Sequence, residues 1–372
     1  QRQMCIRDSL SIDADLQKAT YLALQNEIAA IVYSNIKSGE IPINDVYTAL
    51  IGNSVINTEH FSKAKASDTE KNVLSVFKSR QKTTLGKIKQ ELTSSPEALN
   101  TMSDEVLDEF TYIISMLKDD QVLLKNEIDT SDSVYQKWKN QKISPKEYLS
   151  YCITQHWIDI SQLNVDEKYA DSTEVYDALC KYILKNIKTD TEFSKIIYQY
   201  MITRGEISPR QLCLILFDQG VLDYDDATVN KLKNGSLSPR DFLMKKIYNI
   251  EITPAQLALE PCTGSCVVTD EKTGEIRAMV SYPGYDSNKL ANGVDSEYFA
   301  SLQHDKSSPL LNYATQQKTA PGSTFKLVSA TAGLAENVIT TSDQIRCTGI
   351  YNDISNKPKC WIYPGSHGLD NI

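Results

Sequence analysis

Ala320-Pro321-Gly322-Ser323-Thr324-Phe325-Lys326 sets a serine and a lysine three positions apart, directly behind a Pro-Gly pair. Pro321-Gly322 turns the chain sharply, and Leu327 then opens an apolar, small-residue run through Val328, Ala330, Ala332 and Leu334. That composition predicts a buried helix. A serine in its first turn meets free backbone N–H groups and the positive end of the helix dipole, and Lys326, one turn on, shares its face. Ser-x-x-Lys also starts at Ser34, Ser62, Ser75, Ser79 and Ser115, but in more polar or charged segments without the entry turn. In such settings the pair is an ordinary helix cap and a surface lysine. A serine hydroxyl is a weak nucleophile and needs a neighbouring group to take its proton; a lysine does this once desolvation or a nearby cation lowers its basicity. Ser323 and Lys326 are therefore the candidate catalytic residues, as nucleophile and base.

Upstream, Val267 and Val268 precede a turn containing Gly274, and Ile276, Ala278 and Val280 then alternate with Arg277, Met279 and Ser281. Period-two alternation on either side of a tight connection predicts a two-stranded hairpin. No chemistry is assigned to it.

Together these stretches resemble the penicillin-binding protein transpeptidases, which carry Ser-x-x-Lys at their nucleophile. Gly264-Ser265-Cys266-Val267-Val268-Thr269-Asp270, Glu275-Ile276-Arg277-Ala278-Met279-Val280-Ser281 and Tyr282-Pro283-Gly284-Tyr285-Asp286-Ser287-Asn288 are similar to the family's core hairpin and the segment after it. Asn312-Tyr313-Ala314 resembles its Asn-Arg-Ala approach to the nucleophile, with Tyr313 where arginine is usual. Leu10-Ser11-Ile12-Asp13-Ala14-Asp15-Leu16-Gln17 resembles its opening strand and helix. The resemblance covers residues 10–36 and 252–372 and implies an α+β fold: a partial penicillin-binding protein/β-lactamase-like transpeptidase domain, interrupted by an all-helical insertion over residues 37–251.

The resemblance also implies chemistry. Ser323 would attack the penultimate D-Ala carbonyl of a peptidoglycan stem peptide, Lys326 would take its proton, and the Ser323 N–H would supply half of the oxyanion hole. β-Lactams would acylate the same serine. A glycan-strand polymerase partner, a membrane anchor and the extracytoplasmic face of the bacterial cell membrane are implied in the same way. A β-lactamase, a β-lactam sensor and a non-catalytic wall-assembly scaffold are the competing readings. The family completes its site with Ser-x-Asn and Lys-Thr-Gly motifs, and neither follows Ser323 here. Lys272-Thr273-Gly274 falls at the predicted hairpin turn and is read as coincidence. The chain is expected to be a fragment, inactive by itself and lacking its anchor. Residues 1–9 fit no part of the pattern, read as translated adapter sequence and are set aside.

Composition bounds the rest. The 372 residues are 41% hydrophobic and carry a net charge of −9, which points to a globular chain and away from a nucleic-acid partner. No cofactor and no metal site is expected. His60, His156, His304 and His367 are spaced without metal-like clustering and read as surface or loop residues. Cys262-x-x-x-Cys266 reads as two structural thiols, and Cys347 and Cys360 flank a loop that a disulfide between them would close.

Residues 37–251 have a different texture. Val106, Leu107, Phe110, Ile113, Ile114 and Leu117 recur at helical spacing, as do Tyr176, Leu179, Tyr182 and Ile183, and Ile196, Ile197, Tyr200 and Met201. Ser144-Pro145, Ser208-Pro209, Ser238-Pro239 and Thr253-Pro254 each predict a helix start: the hydroxyl accepts an orphan N–H, and Pro at the first helical position loses nothing by having none. Their spacing is irregular, so no solenoid is expected. The chain holds 20 tyrosines, many of them in this stretch; they are expected to pack in its core with their hydroxyls reaching water, a partner-docking face being the alternative.

Overall fold

The computed structural model describes residues 10–94, 97–163, 165, 171–291 and 293–371. Residues 1–9, set aside above and including Cys5, lie outside them. The chain is α+β, with a large helical region and small sheets, and it divides into two compact units, one running to Thr315 and one starting at Gln316. No described helix is long and apolar enough to cross a membrane.

The helices of the first unit are α1 (Ala14–Ser38), α2 (Ile43–Gly52), α3 (Asp68–Thr93), α4 (Asp104–Asp119), α5 (Ser133–Lys139), α6 (Pro145–Thr154), α7 (Ser172–Ile187), α8 (Thr191–Thr203), α9 (Pro209–Asp218), α10 (Asp226–Asn234), α11 (Pro239–Tyr248), and the shorter α12 (Pro254–Leu257) and α13 (Ser296–His304). All four Ser/Thr-Pro starts are formed. Ser144, Ser208, Ser238 and Thr253 accept the backbone N–H of Glu147, Gln211, Asp241 and Gln256 at 3.1–3.3 Å. Gln211 and Gln256 reach back to complete capping boxes.

What joins these helices is a recurring connector that the Ser/Thr-Pro pattern shows only in part. A helix ends on a residue with positive φ, and the residue two places on is a buried aliphatic. The pairs are Ser54 and Ile56, Gln121 and Leu123, Gln141 and Ile143, Gly205 and Ile207, Gly220 and Leu222, and Ile250 and Ile252. The aliphatic residue's N–H commonly returns to a carbonyl of the helix just ended: Ile56 to Leu50, Leu123 to Leu117, Leu222 to Leu216 and Ile252 to Lys246, at 2.8–3.2 Å. This is a Schellman-like stop, in which satisfying the last carbonyls and docking an apolar side chain are one event. It reverses the chain within a few residues, so successive helices can share one core.

That core runs from the second half of α1 to α12. Phe77 and Tyr198 stack at 4.1 Å, Trp138 and Tyr148 at 4.5 Å. Tyr47, Tyr148, Tyr176 and Tyr198 pack in this core while Tyr224 and Tyr248 are exposed, and several tyrosine hydroxyls bond to protein rather than to water. Tyr176 donates to Leu92 O at 2.7 Å, while Tyr151, Tyr182 and Tyr200 donate to Asp132, Asp120 and Asp108. One charged knot sits inside: Arg80 and Arg204 both donate to the buried carboxylate of Glu105. Glu109, a turn further along α4, is 1% exposed with one carboxyl oxygen unpartnered. Burial, and then the charge of Glu105, push its pKa up to about 8.

The predicted hairpin is present, as β1 (Gly264–Thr269) paired antiparallel with β2 (Ile276–Tyr282). Ala278, Val280 and Tyr282 are buried. Lys272-Thr273-Gly274 lies in the turn, where the Asp270 carboxylate accepts the N–H groups of Lys272 and Thr273. The expected opening strand is not formed, because residues 11–13 offer β2 isolated contacts instead of a ladder. The Ser11 hydroxyl donates to Ile276 O and the Asp13 N–H to Arg277 O, and the Gln17 side chain spans Met279, donating to its carbonyl at 2.6 Å and accepting its N–H at 2.7 Å.

The second unit contains a short helical turn, Gly322–Thr324, leading into α15 (Phe325–Ala335, counted after the four-residue helix α14, Tyr313–Gln316), and a two-stranded ladder of β3 (Gln344–Cys347) with β4 (Gly368–Asn371).

Candidate active site

Ser323 lies in the turn Gly322–Thr324, which is wound as a 3-10 helix and runs on without a break into α15. Ser323 lies in the turn and Lys326 in the first turn of α15, a three-residue spacing that sets them on the same side of the helix. Gly322 enters the turn at φ +57°, a conformation in which a side chain is strained. The Thr324 hydroxyl donates to Pro321 O and braces the entry. At the far end, a Cβ on Gly333 would come within 2.9 Å of Ile339, so only glycine lets the chain fold back over the helix there.

The predicted burial of this helix is not observed. Leu327 is 77% exposed, Val328 55% and Leu334 41%, and no residue of α15 is buried. Ser323 and Lys326 are exposed too. The helix has the composition of a core element, but the one ladder of its own unit, with four residues in each strand, is too small to cover it. Among the described residues, the Ser323 hydroxyl and the Lys326 ammonium make no hydrogen bond with each other.

The Asn312-Tyr313-Ala314 segment is organised by the hairpin. The Ser281 hydroxyl donates to Asn312 Oδ1 at 3.1 Å and accepts the Ala314 N–H at 3.2 Å. Tyr313, standing where the resembling family carries arginine, is buried and donates its hydroxyl to Ser307 O at 2.8 Å.

A second constellation went unseen in the sequence. Cys347, Cys360 and His367 bring their ligand atoms within 4.8 Å of one another, with Cys360 Sγ 3.3 Å from His367 Nδ1. His367, read as a surface or loop residue, is exposed and lies beside the two thiols. The β3–β4 ladder, which pairs Cys347 with Gly368, folds the ring back toward the thiols. Two thiols and an imidazole form a soft donor set suited to zinc, whose bonds of about 2.0–2.3 Å seat ligand atoms at such separations. Hydrogen bonds from the His367 backbone, and next its ring, pull the Cys347 thiol down to about 7. The buried thiols show the opposite: burial pushes Cys152 and Cys213 up to about 12, and Cys180 and Cys262 to about 11. Cys347 and Cys360 are both free thiols. Two cysteines and a histidine within one short stretch were the available signal, but their spacing matches no common metal motif.

Residues 264–366 match the penicillin binding protein transpeptidase domain family. The peptidoglycan D,D-transpeptidase MrdA of Escherichia coli K12 is 39% identical over 100 residues, covering 27% of this chain and 14% of that protein. Its counterpart from Acinetobacter baumannii is 31% identical over 134 residues, covering 36% and 20%. The peptidoglycan D,D-transpeptidase PbpA of Mycolicibacterium smegmatis is 44% identical over 77 residues, covering 20% and 16%. The chain thus spans between about a seventh and a fifth of the length of these relatives. The matched segment includes the hairpin, Ser323 and Lys326.

Proposed function

We propose that the whole protein is a peptidoglycan D,D-transpeptidase working through a Ser323 acyl-enzyme. Ser323 attacks the carbonyl of the penultimate D-Ala of a stem peptide, Lys326 takes the hydroxyl proton, and terminal D-Ala leaves. An amine from a second strand then resolves the acyl-enzyme. The Ser323 N–H is one of the two oxyanion donors. Penicillin acylates the same oxygen. Residues 10–36 and 252–372 belong to the transpeptidase domain and residues 37–251 form an insertion in it. The protein acts at the extracytoplasmic face of the membrane, held there by a membrane anchor, in wall synthesis that sets cell shape and beside a glycan-strand polymerase.

The observation that supports this reading is Ser323 on a glycine-entered turn, three residues ahead of Lys326 on α15, inside the matched segment. For the 372-residue chain alone the expectation differs. An exposed serine beside an exposed lysine has neither the desolvated base nor the enclosed oxyanion site the chemistry requires, so acylation should be negligible. Fluorescent penicillin applied to the full-length gene product tests both halves. Stable labelling that Ser323→Ala abolishes and Lys326→Ala slows by 100-fold or more is the expected result. Rapid turnover of the label indicates a β-lactamase, no labelling indicates a scaffold, and efficient labelling of this chain alone overturns the expectation of inactivity.

A further inference from the structure

We propose that the exposed faces of α3 and α7 form a lysine-rich surface that lies on a bilayer of anionic phospholipid. The proposal deepens the membrane setting given above; vesicle binding and serine labelling are read separately, so each can fail without the other.

The outer side of α3 is basic. From Lys71 to Thr93 it exposes Lys71, Lys78, Lys82, Lys87 and Lys89 and no acid, in a chain whose net charge is −9. Lys71, Lys78, Lys82 and Lys89 follow one another at steps of seven, four and seven residues, a spacing that keeps them on one side of the helix in a row about 27 Å long.

A second row stands beside the first. Lys181 and Lys185 of α7, and Lys188 just past its end, are exposed at helical spacing. The two helices run side by side in opposite directions. The Tyr176 hydroxyl, early in α7, donates to Leu92 O, late in α3, and Gln81 Nε2, halfway along α3, donates to Lys188 O at 3.0 Å. Val73, Phe77, Ile88 and Leu92 of α3 and Leu179, Ile183 and Ile187 of α7 turn into one core, so both rows stand on the outside of the same layer.

Little within the protein neutralises these charges. Among the described residues Lys78, Lys82, Lys89, Lys181, Lys185 and Lys188 make no ion pair. On the two exposed faces the acids are Asp68, which lies 4.0 Å from Lys71, and Asp177, one turn before Lys181. Ser75, Ser79, Thr83 and Gly86 stand between the lysines of α3, and no large apolar side chain is exposed there. The ammonium groups therefore reach a flat surface together and nothing inserts into it. A single row would suit a threadlike polyanion, whereas two rows abreast suit a charged plane. Each lysine held near an anionic leaflet raises affinity about fivefold, through an attraction that salt screens.

The test mixes the full chain at low salt with vesicles of equimolar phosphatidylglycerol and phosphatidylcholine and measures bound protein by sedimentation. Binding against the chain's own negative net charge, absent on pure phosphatidylcholine and reversed at about 0.5 M salt, is the expected outcome. Lys82→Gln should weaken it about fivefold, and Lys78→Gln, Lys82→Gln and Lys185→Gln together about 100-fold, with the helical circular dichroism unchanged. Lys231→Gln, Lys233→Gln and Lys245→Gln together make the same charge change on α10 and α11, outside the two rows, and should weaken binding less than about fivefold. No binding to the anionic vesicles, equal binding to pure phosphatidylcholine, or equal losses in the two triple variants overturns the proposal. So does a tighter hold on soluble long-chain polyphosphate than on vesicles, which would make a linear polyanion the ligand.

Discussion

Helix α9 and helix α15 are of similar length and apolar content, yet Leu212, Ile215 and Leu216 of the first are fully buried while Leu327 and Val328 of the second face solvent. Both adopt the conformation their local residues encode: a Ser-Pro cap and capping box for α9, a Pro-Gly entry and a 3-10 turn for α15. Local chemistry therefore fixes where a helix starts and which side chains share an edge. Burial is a property of neighbours, and α9 has them because the connectors on either side of it fold the chain back onto one core.

The sharpest way to break this contrast is to truncate one side chain in each helix. Leu216→Ala should destabilise the first unit by about 2–5 kcal/mol, the ordinary cost of a cavity in a close-packed core. Leu327→Ala should change stability by less than about 0.5 kcal/mol. Urea unfolding followed by helical circular dichroism reads both, and equal effects would mean that α15 is covered in solution.

Next in size is a pH effect confined to the helical core. Burial pushes the Glu109 pKa in the folded protein up to about 8, whereas an unfolded carboxyl releases its proton near the ordinary 4.5. Between those limits the unfolded state binds fewer protons, so stability falls as pH rises and levels off above pH 8. Allowing for relaxation around Arg80, Lys87, Asp108 and Glu105, the loss should be about 2–4 kcal/mol. Glu109→Gln should flatten the profile. A slope unchanged by that substitution would place the titration elsewhere.

The smallest effects concern the connectors. Ser208→Ala removes an N-cap and should cost about 1 kcal/mol. Ile250→Gly relieves a β-branched residue held at φ +59° and should gain up to about 1 kcal/mol. Opposite signs on paired thermal melts are expected; a loss at Ile250 would show that its side-chain packing outweighs the backbone strain.

How far the sequence could be read follows the same line. The Ser/Thr-Pro caps, the β1–β2 hairpin and the helical stretches of α4, α7 and α8 were legible because each depends on residues a few positions apart. The connectors at Gln121, Gln141 and Ile250 were not, since none carries the glycine that normally marks a left-handed stop. Cys347 and His367 meet through strand pairing, which no local spacing announces. The exposure of Leu327 was hidden because an apolar run encodes a demand for cover and not its supply. The missing opening strand had a similar origin: Ser11 and Asp13 suit edge contacts to β2 as readily as a ladder.

Those edge contacts give the hairpin a direction. With Ser11, Asp13 and Gln17 occupying Ile276, Arg277 and Met279 along the outer margin of β2, further backbone pairing on that flank is blocked. Any strand that enlarges this sheet must therefore dock against β1, so the hairpin grows one way and resists the indiscriminate edge-to-edge stacking that leads to aggregation.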